Sequence, residues 1–230
     1  MSILTADEVA CPLCAEKVRF DVARSVNADR RPDLRDAIID GSFQRETCPH
    51  CGTMFRLDPR ITYLDTGRRQ WLLAAPCWDM PEWGSVEKQT RDAFERSYGP
   101  GGSAMARAIG RELSVRLVFG WAALREKLVC AEAGLDDATL ELLKLSMIDT
   151  EEGSLLGDET DLRLIEADGA TLTIGLLNPV TEALAERITV PRGAYDAIAA
   201  EPEIWAALRA EITAGPLVDL NRLLVAPQPD

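Results

Sequence analysis

The chain contains a single histidine, His50, among its 230 residues. A Ser-His-Asp triad or a histidine-rich catalytic metal centre would have to use that one imidazole, and no nucleophile motif accompanies it. Phosphate-cradling glycine signatures are also missing: there is no GxxxxGK[ST] and no GxGxxG, and the glycines at 99, 101 and 102 are followed by no lysine. No apolar run approaches the roughly 18 residues of a membrane span. The opening MSILTADEVACPLC has no basic stretch ahead of an apolar one, so export is not expected. Internal repeats and low-complexity tracts are absent as well.

Basic charge is scarce, and its distribution is uneven. The net charge is -13, from 25 Lys+Arg against 38 Asp+Glu. Residues 1–75 hold 11 of each, so the remainder carries the whole excess with 14 against 27. A nonspecific nucleic-acid binder needs a basic footprint to release counterions from phosphates. The second part would be repelled by nucleic acid and by anionic membranes. Direct nucleic-acid binding is therefore open only to the first part, through Arg19, Arg24, Arg30, Arg31, Arg56, Arg68 and Arg69 should they share a face.

What the chain does have is a pair of matched cysteine grips. Cys11 and Cys14 stand in CPLC, and Cys48 and Cys51 in CPHCG, with 33 residues between the pairs. Four soft thiolates in two CxxC knuckles are the pattern of a structural tetrahedral zinc site. Pro12 and Pro49 preset each turn, and Gly52 offers an open conformation after the second. Two disulfides or a thioredoxin-like redox motif are the alternatives, disfavoured because redox CxxC motifs do not come as matched proline-containing pairs. One structural Zn2+ is expected on Cys11, Cys14, Cys48 and Cys51. His50, inside the second knuckle, is read as pointing away from a complete ligand set. Cys77 and Cys130 have no neighbouring histidine to activate them. The cysteine usage fits a reducing, cytoplasmic setting.

The expected fold class is α+β: an N-terminal four-cysteine zinc ribbon (1–75), a connector rich in proline, glycine and tryptophan (76–102), and an acidic α+β domain (103–230). In the ribbon, Val18, Phe20 and Val22 alternate as in a half-buried strand, a short helix runs from Asn27 to Asp40, a strand at 43–47 returns to the second knuckle, and Met54, Phe55 and Leu57 lead on to a further strand at 61–64. Met105, Ile109, Leu113, Leu117, Trp121, Leu124 and Leu128 predict one long helix over 103–133, interrupted by Gly110 and Gly120 and paired with a second helix after Asp136 or Asp137 in a hairpin. A small antiparallel sheet is expected at 162–176 around Ala167-Asp168-Gly169, with Ile188 and Val190 as a third strand. Helix is expected from Tyr195 to Ile212, and LVDLNRLLV should dock before a frayed PQPD end. Acidic pairs such as Asp136 with Asp137, Glu151 with Glu152, and Asp158, Glu159 and Asp161 read as solvated faces. Trp78 and Trp83 are candidate anchors for a partner, although cover for a domain seam is the favoured reading.

The CPLC, RPDLRDAIIDGSF, TCPHCGTMFRL and ITYLDTGRR segments, with RLVFGWAALREKLVCAEAGLDDATLELLKL further on, resemble the bacterial CpXC proteins. The resemblance implies a zinc-binding N-terminal module on Cys11, Cys14, Cys48 and Cys51 in a bacterial cytosol, and it implies no reaction. The sequence thus leads to a noncatalytic zinc-binding adaptor or regulatory protein with a protein partner of basic or apolar character. A transcription- or RNA-associated accessory factor using a basic ribbon face is the second reading, and an enzyme of unknown reaction the third.

Overall fold

A computed structural model describes residues 1–148 and 160–226. Its centre is a five-stranded sheet built from β1 (Ile3–Ala10), β2 (Lys17–Asn27), β5 (Ile61–Asp65), β6 (Gln70–Ala75) and β7 (Ser114–Phe119), in the order β1-β2-β5-β6-β7. β1/β2 and β5/β6 are antiparallel, while β2/β5 and β6/β7 are parallel. A parallel neighbour needs a crossover. α1 (Pro32–Asp40) lies in the first connection, and α2 (Trp83–Tyr98) with the short α3 (Ala104–Gly110) forms the second. Pro32 opens α1 in its first turn, and Gly41 ends it in the left-handed conformation at φ 80.

Both faces of the β5-β6-β7 side of this sheet are covered. On one, Leu34 and Ile38 of α1 and Trp121, Leu124 and Leu128 of α4 (Gly120–Glu132) bury Tyr63, Leu72 and Ala74. On the other, Trp83 and Val86 of α2 pack with Trp71, Leu73, Leu117 and Leu217. α4 and α5 (Asp137–Ile148) then receive a second sheet, formed by β8 (Asp161–Ala167), β9 (Thr171–Leu177) and β10 (Leu184–Pro191) with β9 at its centre. Asp168 closes the β8–β9 turn by accepting the Ala170 and Thr171 N–H groups. α6 (Arg192–Ala200), α7 (Ala206–Ile212) and α8 (Asn221–Leu224) complete the described chain.

The mixed α+β class holds, but the long helix does not. Residues 103–133 form α3, β7 and α4 in turn, and the two glycines mark the breaks. Gly120 has φ 78, a conformation no helix interior accepts, and a Cβ there would stand 3.3 Å from the Cβ of Cys77. At Gly110 a Cβ would come within 2.6 Å of the Cβ of Tyr98. The expected hairpin is therefore the shorter α4–α5 pair, with Asp136 capping α5 by accepting the Thr139 N–H at 2.8 Å. The division at 76–102 is also crossed by the sheet, since β6 pairs with β7 along six residues from Gln70↔Ser114 to Ala75↔Phe119. No described helix is long and apolar enough to cross a membrane. Glu151, Glu152, Asp158, Glu159 and the PQPD end lie outside the described residues.

Candidate metal centre

Two β-hairpins supply the four thiols. β1 and β2 pair from Ile3↔Ser25 to Ala10↔Lys17, and the CPLC segment is their turn. The two-stranded sheet of β3 (Arg45–Thr47) and β4 (Met54–Arg56) pairs from Arg45↔Arg56 to Thr47↔Met54, with CPHCG as its turn. The two turns repeat one hydrogen-bond scheme. Ala15 N–H donates to the Cys11 carbonyl and Gly52 N–H to the Cys48 carbonyl, both at 2.9 Å. Cys11 N–H donates to Glu16 O at 2.9 Å, and Cys48 N–H to Thr53 O at 2.8 Å. Ala15 and Gly52 share the left-handed conformation, with φ 61 and φ 74. Behind the thiols, Phe20 and Phe55 meet at 6.0 Å between ring centroids, among Val18, Val22 and Leu57.

The sulfurs converge. Cys11 Sγ lies 3.7 Å from Cys51 Sγ, and Cys14 Sγ 3.7 Å from Cys48 Sγ. All four fall within 4.8 Å of one another. A tetrahedron with metal–sulfur bonds of about 2.3 Å has sulfur–sulfur edges of about 3.8 Å, whereas a disulfide closes to about 2.05 Å. The donor set therefore fits a tetrahedral thiolate-bound ion and not a pair of disulfides. Cys11 and Cys48 are buried, Cys14 is half-buried and Cys51 exposed. The Thr53 hydroxyl and N–H hold the Cys51 thiol down to about 6. At Cys14 the Glu16 N–H pulls downward, but desolvation and the three neighbouring sulfurs push the thiol up to about 12. Four sulfurs this close favour their thiolate forms together only with a cation between them.

The remaining sequence candidates separate. Trp78 is 65% exposed. Trp83 is buried, its indole N–H donating to Val225 O at 2.9 Å and its ring lying under Arg222, so it is a core residue and not a partner anchor. His50 is exposed on the second knuckle. Cys130 is buried, with its thiol donating to Leu135 O at 3.4 Å, and burial drives its pKa upward. The Cys77 thiol is raised as well, by burial and by the Asp58 carboxyl beside it. Asp137 and Asp161 are not solvated: Asp137 takes a two-point contact from Arg116, at 2.7 and 3.0 Å, and Asp161 pairs with Arg163.

A second carboxylate group, Glu126, Glu141 and Asp219, is wholly buried. Cations of the chain already fill it: Lys144 lies 3.0 Å from Glu126 and 2.8 Å from Glu141, and Arg163 lies 3.1 Å from Glu126 and 2.5 Å from Asp219. Sequence inspection passed over these residues because their lysines and arginines sit among ordinary helix and strand positions.

A family profile described as CpXC protein matches residues 9–144. The chain belongs to the CpXC family. The CpXC segment includes both knuckles and ends inside α5, so the second sheet and the last three helices lie beyond it. No curated protein and no solved structure matches the chain.

Proposed function

We propose that this CpXC protein is a noncatalytic zinc-binding adaptor, in which a zinc ribbon is stapled by Cys11, Cys14, Cys48 and Cys51. The observation that carries the reading is the sulfur geometry, with its 3.7 Å contacts across two matching knuckles. A four-cysteine zinc site is coordinatively closed and keeps no position for water or substrate, so the metal serves structure. Exposed apolar side chains at Leu13 and Met54, beside the knuckles, and at Trp78 are the contact points we assign to a protein partner. The acidic excess of the chain favours a partner of basic character.

The accessory-factor reading needs a basic ribbon face, and the ion pairs weigh against it. Arg24 faces Asp7, Arg31 faces Asp33 and Arg68 faces Asp65, while Arg56 is mostly covered and paired with Glu182. The test is affinity purification of the full chain from bacterial cells, at low salt, with metal and co-purifying molecules quantified together. One zinc per chain and a protein partner lost in Trp78→Ala supports the adaptor. Nucleic acid recovered without protein would replace it with the accessory factor, and a chain without zinc would remove the ribbon.

A further inference from the structure

Glu182 lies in the turn between β9 and β10, outside the CpXC segment, yet its carboxylate sits among three arginines of that segment. Arg45 of β3 approaches to 3.5 Å and Arg125 of α4 to 3.1 Å, and Arg56 of β4 makes the closest contact. Arg45 and Arg56 are the facing pair at the base of the second knuckle hairpin. Arg45 Nε donates to Gly41 O at 2.6 Å and Arg56 Nε to Phe43 O at 2.9 Å. The Arg56 guanidinium also lies 4.4 Å from the centroid of the Trp121 ring, whose N–H donates to Leu57 O at 2.9 Å. One carboxylate thus joins the base of the Cys48–Cys51 hairpin to α4 and to the second sheet.

The turn is built to present that carboxylate. The Asn178 side-chain oxygen accepts the Val180 and Thr181 N–H groups, and Glu182 N–H returns to Asn178 O at 2.9 Å. Glu182 itself adopts φ 59, a left-handed conformation that costs a non-glycine residue roughly 1 kcal/mol. Its side chain is 12% exposed and that of Arg56 is 9% exposed, so the pair works in a poorly solvated place where losing one partner strands the other. Asp40 feels Arg125 and Arg56 through space and Asp58 feels Arg56, but the ion pairs go to Glu182. The β3–β4 hairpin has only three paired residues on each strand, too few to hold its shape alone. By contrast, β2 of the first hairpin runs on into the main sheet through β5.

We propose that Glu182 is a positioning residue for the four-cysteine centre: it fixes the base of the β3–β4 hairpin and thereby sets how long the metal is retained. The proposal rests on the zinc reading above. The zinc-loaded full chain is mixed with excess chromogenic chelator, and release is followed for wild type, Glu182→Gln and Arg45→Gln, with deuterium exchange recorded on the loaded proteins. Glu182 touches no cysteine and acts through the hairpin base, a step beyond the outer partners whose loss typically alters affinity 10- to 100-fold, so release from Glu182→Gln is expected to quicken several-fold, up to about tenfold. Arg45→Gln, at the exposed rim, leaves the buried pair intact and should quicken release several-fold even should Glu182→Gln fail to fold. Exchange should rise across 45–56 and stay unchanged across 3–10. Wild-type release rates in both variants, or a rise shared equally by the two hairpins, would overturn the clamp while leaving the zinc reading intact. A wild-type chain that takes up no zinc would overturn the zinc reading and the clamp with it.

Discussion

Ala15 and Gly52 occupy the same point of the two knuckles, four residues after Cys11 and Cys48, and both have positive φ. Glycine adopts that conformation freely, whereas a Cβ meets the neighbouring carbonyl oxygen at a cost of roughly 1–2 kcal/mol. Ala15→Gly removes this strain and returns part of the gain as extra freedom of the unfolded chain. The expected net effect is a stabilisation of about 0.5 kcal/mol, measured by denaturant unfolding of the zinc-loaded protein. A loss of similar size would mean that the first knuckle relaxes Ala15 out of the left-handed region in solution. At this scale much of the centre was legible: the cysteines by their spacing, the prolines by their fixed φ, Gly52 by its lack of a side chain. Ala15 was not, because alanine sends no signal of the backbone it will adopt. Trp83 was expected to be cover and not an anchor, and its ring is buried; what was misplaced is its element, because a tryptophan between prolines and a glycine reads as loop, whereas residue 83 begins α2 and faces the sheet.

Among the elements, the strands that escaped notice are those whose two faces share one environment. β6 is buried along its whole length, and Leu117, Val118 and Phe119 of β7 are buried in succession, because helices cover both sides of this part of the central sheet. Alternation disappears from such strands. The spacing of Leu113, just before β7, and Leu117 within it then matched the helical stripe of Trp121, Leu124 and Leu128, which is how strand and helix merged into one expected element. β1 fails in the opposite way, with nearly every residue exposed. The half-buried β2 and the Gly41 end of α1 were legible because their patterns are one-sided, but the helix expected from Asn27 starts at Pro32, and Asn27 is instead the last residue of β2.

This arrangement narrows what metal loss should do. On the proposed zinc reading, Cys48→Ser would remove one ligand from a site of the kind that contributes roughly 10 kcal/mol or more of apparent binding free energy. β5 and β6 are held by β7 and by packing on α1, α2 and α4, so they should keep their protection. Deuterium exchange is expected to rise across 3–22 and 45–56 and to remain low across 61–75. Loss of protection in β5 and β6 as well would make residues 1–75 a single unit that depends on the metal, despite the continuous sheet.

Across the whole molecule, charge does two things that composition alone conflates. Part of the acidic excess faces solvent, but Glu126, Glu141, Asp161 and Asp219 are interior or nearly so and join α4, α5, β8 and the segment before α8 through Lys127, Lys144 and Arg163. Backbone groups complete the set: Leu164 N–H donates to Glu126 at 2.6 Å and Leu220 N–H to Glu141 at 2.9 Å. The network ties the CpXC segment to a second sheet that lies outside it, beside the apolar packing of Leu162, Leu164, Leu172 and Ile174 on α4 and α5. Burial pushes the Glu141 carboxyl up to about 7 against the pull of Lys144 and Lys127. Lys144→Met takes away the ammonium shared by Glu126 and Glu141, leaving buried carboxylates short of a partner, and is expected to destabilise the fold by about 3 kcal/mol. The cost should grow as pH rises through 7. A carboxyl whose folded pKa lies above its unfolded value stabilises at low pH and loses that contribution as pH climbs, and removing Lys144 raises Glu141 further. In the double variant Lys144→Met with Glu141→Gln, the amide carbonyl that replaces the carboxylate still accepts Leu220 N–H, and no charge is left to titrate there. Its cost should fall below that of Lys144→Met alone and vary less with pH. Unfolding midpoints at pH 6 and pH 8 measure both effects. A single-variant cost under about 1 kcal/mol, equal at the two pH values, would mean that water reaches these carboxylates and that the second sheet is held by its apolar contacts alone.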